Sequence, residues 1–123
     1  MSTKILIVDD QFGIRTLLNE VLIKEGYTVF KASNGLQALH IVENNMLDLV
    51  LLDMKLPGMD GVEVFKRMKK IQEDIRIIFM TAYSETEIIQ KSNQLGALTY
   101  FSKPFDINEI RRTVKHFLCR TIK

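Results

Sequence analysis

Four short apolar runs recur along this chain, and polar residues stand where each run stops. The runs are residues 4–8 (KILIV), 48–52 (DLVLL), 75–80 (IRIIFM) and 98–101 (LTYF). Near-continuous apolar stretches of this length are typical of strands in a parallel sheet, because helices cover both faces of such a sheet. Ligands of these sheets bind just beyond the carboxyl ends of the strands. We therefore expect the polar residues at these positions to meet at one edge of a sheet.

The segments between the runs carry apolar residues at helical spacing, as the segment after the first run shows. We predict helices at about residues 11–25, 34–44, 61–71, 84–95 and 106–118, and a further strand at 27–32. Gly26 is placed as a helix C-terminal glycine, and Asn34 as an N-cap. The alternation predicts an α/β fold of the flavodoxin-like (βα)5 type, with a doubly wound five-stranded parallel sheet in a single domain.

Three carboxylates, a hydroxyl and an ammonium are expected at the strand-end edge, from Asp9, Asp10, Asp53, Thr81 and Lys103. Carboxylates this close repel one another unless a cation joins them, and hard divalent ions such as Mg²⁺ prefer oxygen ligands. A lysine and a threonine beside them can hold an anion. Taken singly, each residue also suits an ordinary structural role, such as a helix cap or a surface charge. Together they indicate phosphoryl transfer to an aspartate.

Composition narrows the class of protein. The 123 residues suit one domain, and 46% hydrophobic with 26% charged residues is ordinary for a soluble protein. A net charge of +2 is too small to indicate nucleic-acid binding. The single cysteine, Cys119, excludes an internal disulfide and fits a reducing cytoplasm. No apolar run approaches the roughly 18 residues of a membrane span. We expect a cytoplasmic monomer that binds neither nucleic acid nor membrane.

Four segments resemble the receiver domain of two-component response regulators: VDD (8–10), LLDMKLPGMDG (51–61), MTA (80–82) and SKPF (102–105). The resemblance covers almost the whole chain, in the family's order and spacing. Within the family, the stretches KILIVDDQFGIR, DLVLLDMKLPGMDG, QLGALTY and KPFDINEIR are similar to the single-domain response regulators of sporulation. The resemblance implies one receiver over residues 1–123, with no output domain.

The family resemblance implies a role for each polar residue at the strand ends. Asp53 would accept the phosphoryl group. Asp9, Asp10, Asp53 and the backbone carbonyl of Lys55 would hold Mg²⁺, with Asp10 the more direct ligand and Mn²⁺ or Ca²⁺ as substitutes. Lys103 would pair first with Asp53 and then with a phosphoryl oxygen, and the bond after it is a candidate cis peptide. The Thr81 hydroxyl would move toward the phosphoryl group.

Further residues around the site have more than one reading. Tyr100 is either a conformational switch that follows Thr81 or a half-buried strand residue. Lys55 and Tyr83 occupy positions that tune phosphoryl lifetime in the family. Partner docking is assigned to residues around the rim: Gln11, Gly13, Ile14, Leu17, Pro104 and Phe105. For Ile14, Leu17 and Phe105 the alternative is the hydrophobic core. His40 and His116 are expected at the surface.

The leading functional hypothesis is a phosphorelay intermediate. Such a protein accepts a phosphoryl group from a sensor histidine kinase and passes it to a histidine phosphotransferase. One alternative is a stand-alone receiver that acts by binding a target, such as a flagellar switch protein. A hydrolase with an aspartyl-phosphate intermediate is disfavoured, because those enzymes carry a second aspartate where this chain has Lys55. A DNA-binding regulator is disfavoured because no helix-turn-helix segment is found.

Overall fold

The computed structural model describes residues 3–81, 96, 99–103 and 106–119. Nine elements lie in these ranges: β1 (Lys4–Val8), α1 (Phe12–Lys24), β2 (Thr28–Ala32), α2 (Gly35–Asn44), β3 (Leu49–Asp53), α3 (Gly61–Ile71), β4 (Ile77–Thr81), β5 (Tyr100–Ser102) and α4 (Ile107–Cys119). The helix predicted at 84–95 lies outside the described residues. The same holds for three predicted site residues, Tyr83, Pro104 and Phe105.

The five strands form one parallel sheet in the order β2-β1-β3-β4-β5. This confirms the predicted α/β class and the five-stranded parallel sheet. All five residues of β3 are buried, whereas β2, at the edge, buries only Ala32. The order places the carboxyl ends of β1, β3, β4 and β5 side by side. The polar residues at these ends are therefore brought to one edge, as the sequence predicts.

Helices cover both faces of the sheet and produce two hydrophobic core clusters. The first cluster lies under α2 and α3 and includes Phe65, whose ring stacks on Phe79 with centroids 5.3 Å apart. The second lies under α1 and α4 and includes Leu18, Leu22 and Val114. Because side chains alternate along a strand, adjacent residues of β1 and β3 supply both clusters. The doubly wound arrangement predicted from the sequence is thus confirmed.

The ends of the helices follow local capping chemistry. The Asn34 side chain accepts a hydrogen bond of 2.9 Å from the Gln37 backbone N–H, as expected for an N-cap. Gly26 has φ of +94° and donates its N–H to the Ile23 carbonyl, which ends α1. By contrast, Gln11 precedes α1 without a side-chain cap. Other contacts must therefore fix the chain where it enters this helix.

Two strands end one residue later than their apolar runs. The predicted strands 48–52 and 75–80 are observed as Leu49–Asp53 and Ile77–Thr81. Pairing continues because Asp53 lies opposite Met80, whose carbonyl accepts the Met54 N–H at 3.0 Å. At the start of β4, Ile75 still belongs to the turn after α3. Asp53 and Thr81 are consequently the last residues of their strands, so the sheet fixes their backbones.

The fifth strand is observed at Tyr100–Ser102, where residues 98–101 were predicted, and Lys103 follows it directly. Residue 98 lies outside the described residues. Among the described residues, no helix has the length and apolar character needed to cross a membrane.

Candidate functional site

The carboxyl ends of β1 and β3 bring three aspartates together. Oxygen atoms of Asp9, Asp10 and Asp53 all lie within 4.8 Å of one another. Asp9 and Asp53 are buried, whereas Asp10 is exposed. Thr81, 3% exposed, ends the neighbouring strand one position beyond the partner of Asp53. The site is therefore an acidic cluster open to solvent on the side of Asp10.

Lys103 supplies a positive charge to this cluster. Its Nζ donates to Asp9 Oδ2 at 2.6 Å and to Asp53 Oδ2 at 3.2 Å. The sequence predicts the pair with Asp53, and the structure adds a shorter contact to Asp9. The Lys103 backbone N–H donates to the Thr81 carbonyl at 2.7 Å, which fixes the start of the loop. The ammonium thus bridges two carboxylates from different strands.

Asp9 uses both carboxylate oxygens within the protein. Its side chain is fully buried, and Oδ1 accepts the Gln11 N–H at 2.9 Å while Oδ2 accepts from Lys103. A buried carboxylate requires such partners to offset the loss of water. Asp10 forms no hydrogen bond or ion pair with any residue in the described ranges. Its carboxylate therefore remains open to an external cation.

The pKa of Asp53 is raised above its ordinary value. The largest cause is burial, and the negative charge of Asp9 acts in the same direction. The Lys55 N–H, which donates to Oδ1 at 3.1 Å, and Lys103 lower it without cancelling the effect. Among the residues that the structure describes, three carboxylates thus face the ammonium of Lys103. A divalent cation would relieve this excess of negative charge, and clustered carboxylate oxygens are suitable ligands for it.

The pKa of Lys103 is raised. Burial by itself would lower it, but the hydrogen bond to Asp9 and the charges of Asp53 and Asp9 outweigh burial. Lys103 is therefore charged throughout the neutral range. The stability contributed by its contacts is complete below the pKa it has in the unfolded chain. That stability is lost as the pH rises through the higher pKa of the folded state.

We predict that Asp53→Asn stabilises the cation-free protein at pH 7, since burial and the charge of Asp9 raise the pKa of Asp53. A raised pKa means that the ionised carboxylate destabilises the fold. The gain should vanish below pH 3.8, the ordinary value for aspartate, where the carboxyl is neutral in both states. Thermal unfolding between pH 3 and 8 measures it. A variant less stable than the parent at pH 7, or a pH-independent difference, would contradict this.

Gly61 positions the site in a way that sequence reasoning missed. A Cβ atom there would lie 2.5 Å from the Asp53 carbonyl oxygen and 2.6 Å from the Met54 Cα. The Gly61 N–H also donates to the Met54 carbonyl at 3.0 Å. The start of α3 therefore packs directly on the strand end that carries Asp53. The sequence shows only that glycine interrupts regular structure here, because the contact depends on the folded loop.

The predicted docking residues on α1 divide between surface and core. Gln11 and Gly13 are exposed, and Leu17 is 41% exposed, which favours the surface reading for Leu17. Ile14 is partly buried against the second core cluster, so it belongs to both the core and the surface. Phe12, 74% exposed, was missed. Its position out of phase with Leu18 and Leu22 is the signal that could have found it.

The remaining predicted residues lie around the rim or farther away. Lys55 is exposed in the loop after β3. Tyr100 is partly buried and packs against the first core cluster, in keeping with its reading as a half-buried strand residue. Its role as a switch stays a prediction. His40 and His116 are both exposed, as predicted.

Comparison with known proteins agrees with this geometry. The sequence model of the response regulator receiver domain family matches residues 5–115 of this chain. Sporulation initiation phosphotransferase F of Bacillus subtilis (strain 168) is 67% identical over 118 residues, which cover 96% of this chain and 95% of that protein. The transcriptional regulatory protein ZraR of Klebsiella oxytoca is 39% identical over 95% of this chain, which spans only 26% of ZraR.

Solved structures give the same assignment. A CheY-like response regulator receiver domain protein from Methanospirillum hungatei JF-1 matches with a TM-score of 0.92 and 32% identity, over 98% of this chain and 96% of that one. The resemblance found in the VDD, LLDMKLPGMDG, MTA and SKPF segments is thereby confirmed. This chain belongs to the response regulator receiver domain family.

Proposed function

We propose that this chain is a phosphorelay response regulator of sporulation initiation. It accepts a phosphoryl group from a sensor histidine kinase onto Asp53, with Mg²⁺ at the acidic cluster, and passes the group to a histidine phosphotransferase. The observation that carries the proposal is the convergence of Asp9, Asp10 and Asp53 with Lys103 at the strand ends. The similarity to sporulation initiation phosphotransferase F, over nearly the full length of both chains, supports the relay.

The protein's own residues carry the transfer step. A carboxylate oxygen of Asp53 attacks phosphorus as the bond between phosphorus and the donor's imidazole nitrogen breaks, forming an acyl phosphate. Asp53 is held in place because β3 fixes its backbone and Lys55 donates to its Oδ1. Lys103, already within 3.2 Å of Asp53 Oδ2, can exchange this contact for one to a phosphoryl oxygen. The Thr81 hydroxyl is the further candidate donor to that group.

The acidic cluster is suited to the metal ion. Asp10 and Asp53, assisted by Asp9 and the backbone carbonyl of Lys55, would hold Mg²⁺, and Mn²⁺ or Ca²⁺ could replace it. When bound, the ion neutralises negative charge on the incoming phosphoryl group. Asp9 already accepts hydrogen bonds from Lys103 and Gln11. It would therefore hold these residues in place as well as contribute to binding the ion.

Transfer between proteins requires the partner's imidazole within about 3–3.5 Å of the phosphorus. The partner must therefore lie across the strand-end rim, where α1 begins. Here Gln11 and Gly13 are exposed, Gly13 has no side chain to hinder close approach, and Leu17 offers an apolar surface. Within the described part of the chain, and apart from the neighbours and backbone of its own helix, nothing lies within 4 Å of a Cβ placed at Gly13.

We predict that Leu17→Ala weakens transfer to a histidine phosphotransferase about 30-fold, equivalent to about 2 kcal/mol for a central interface residue. Labelling by acetyl phosphate should be unchanged, because a small donor needs only the acidic cluster. Ile23→Ala is the matched control, since Ile23 is 52% exposed at the far end of the same helix. Equal losses in both assays, or equal effects of both variants, would contradict docking at Leu17.

The transfer itself separates a relay from a receiver that acts only by binding. Protein labelled on Asp53 would be mixed with histidine phosphotransferases and with flagellar switch proteins. The proposal predicts that label moves to a phosphotransferase histidine and disappears from Asp53. Stable binding to a target without movement of label to any histidine would overturn the relay in favour of the stand-alone receiver.

A further inference from the structure

Arg15 holds the loop that carries the two N-terminal aspartates. Its Nη1 donates to the Asp9 carbonyl oxygen at 2.7 Å, six residues back along the chain. Its guanidinium carbon lies 5.7 Å from the centre of the exposed Phe12 ring, which gives the group a second support. The Arg15 N–H makes the first backbone bond of α1, to Gln11. The side chain therefore links the first turn of the helix to the end of β1.

This contact lies where α1 lacks a side-chain cap. α2 and α3 begin with side-chain caps from Asn34 and Asp60, but Gln11 provides none for α1. The chain entering α1 is instead fixed on both sides of Asp10, at the 9–10 and 10–11 peptide groups. The Asp9 side chain accepts from the Gln11 N–H, and the Asp9 carbonyl accepts from Arg15.

The carbonyl of Asp9 belongs to the planar peptide that joins Asp9 to Asp10. Fixing this oxygen fixes the plane of the peptide and thereby the direction in which the chain leaves toward Asp10. Asp10 itself is exposed and has no partner among the described residues that could set its orientation. Its alignment with Asp53 thus depends on the backbone before it.

We propose that Arg15 is a positioning residue for the divalent cation: its bond to the Asp9 carbonyl aims the Asp10 carboxylate at the metal position. This rests on the proposed function, because it assumes that the acidic cluster binds Mg²⁺. In the described ranges the guanidinium donates to a neutral carbonyl and pairs with no carboxylate. Its positive charge would by itself repel a nearby cation. If Arg15 acts by positioning Asp10, replacing it should weaken Mg²⁺ binding. If only its charge mattered, replacing it should strengthen Mg²⁺ binding.

The test is the dissociation constant of Mg²⁺, measured by calorimetric titration of the full chain, with thermal unfolding in the absence of metal. Arg15→Met keeps most of the side-chain volume and removes the donor. We expect its Mg²⁺ dissociation constant to rise about tenfold, the loss expected for one hydrogen bond from a charged donor. Arg15→Lys, which keeps the charge and a donor, should lie between Arg15→Met and the parent.

Arg67→Met is the control, since Arg67 is an exposed arginine on α3 that pairs with Glu63. It should bind Mg²⁺ as the parent does. Mg²⁺ binding by Arg15→Met that equals or exceeds that of the parent would overturn the positioning role, whatever its melting temperature. If Arg15→Met does not fold, Phe12→Leu removes the second support and should weaken binding about threefold, and an unchanged constant there overturns the role. A parent that binds no Mg²⁺ would overturn the proposed function as well.

Discussion

Replacing Asp10 with alanine is expected to abolish cation-dependent phosphorylation while leaving the fold intact. Asp10 is the exposed carboxylate of the cluster and has no partner among the described residues. The substitution removes one carboxylate ligand of the cation and one negative charge from its site. We expect the Mg²⁺ dissociation constant to rise about 100-fold, or roughly 2.7 kcal/mol, and labelling by acetyl phosphate to fall to background.

The thermal stability of Asp10→Ala should not fall with its Mg²⁺ affinity. Without cation, Asp10→Ala relieves repulsion with Asp9 and Asp53, so its melting temperature should equal or exceed that of the parent. Asp74→Ala, at an exposed carboxylate after α3, is the control and should leave both measurements unchanged. Mg²⁺-dependent labelling of Asp10→Ala at the rate of the parent would contradict the assignment of the cluster.

Lys103→Met is expected to give the largest loss of stability. It keeps the apolar stem but leaves the buried carboxylates of Asp9 and Asp53 without their ammonium. Breaking a buried ion pair from one side costs about 3 kcal/mol, equivalent to a fall in melting temperature on the order of 10 °C. The loss should be smaller at low pH, because protonation of Asp53, whose pKa is raised by burial, removes one of the negative charges that Lys103 faces. Thermal unfolding at pH 7 and pH 4, without cation, measures it.

Lys66→Met, at an exposed lysine of α3, is the control and should unfold at the same temperature as the parent. Added Mg²⁺ should restore part of the stability of Lys103→Met by supplying positive charge to the cluster. Transfer to Asp53 should stay impaired, because the phosphoryl oxygens still lack the ammonium. A variant as stable as the parent at pH 7 would show that the ion pairs contribute little.

The sequence was sufficient to predict the sheet and the edge at which the site forms. Apolar runs such as LVLL indicate strands whose two faces are both buried, and the polar residues after them indicate the edge of the sheet where the strands end. Both patterns are local, so they can be interpreted without knowing which distant residues are in contact. The capping roles of Asn34 and Gly26 were predicted for the same reason.

Contacts set by distances between elements could not be predicted in this way. Lys103 and Asp9 are 94 residues apart, and only the folded rim shows that Asp9 is the nearer partner. Helical spacing places Ile14 and Leu17 on one stripe of α1. Which of them is covered depends on the neighbouring elements, and Leu17 proves the more exposed. The contact between Gly61 and the end of β3 likewise cannot be predicted from the sequence, because it depends on how the loop folds.

The central claim is that Asp53 accepts a phosphoryl group at a cation-dependent site. Labelling parent and Asp53→Asn proteins with radioactive acetyl phosphate, with and without Mg²⁺, tests it directly when the label is mapped by peptide. We predict label on the Asp53 peptide of the parent only, only with Mg²⁺, and released by hydroxylamine as an acyl phosphate should be. Label on a serine, threonine or histidine, or equal labelling of Asp53→Asn, would contradict the account.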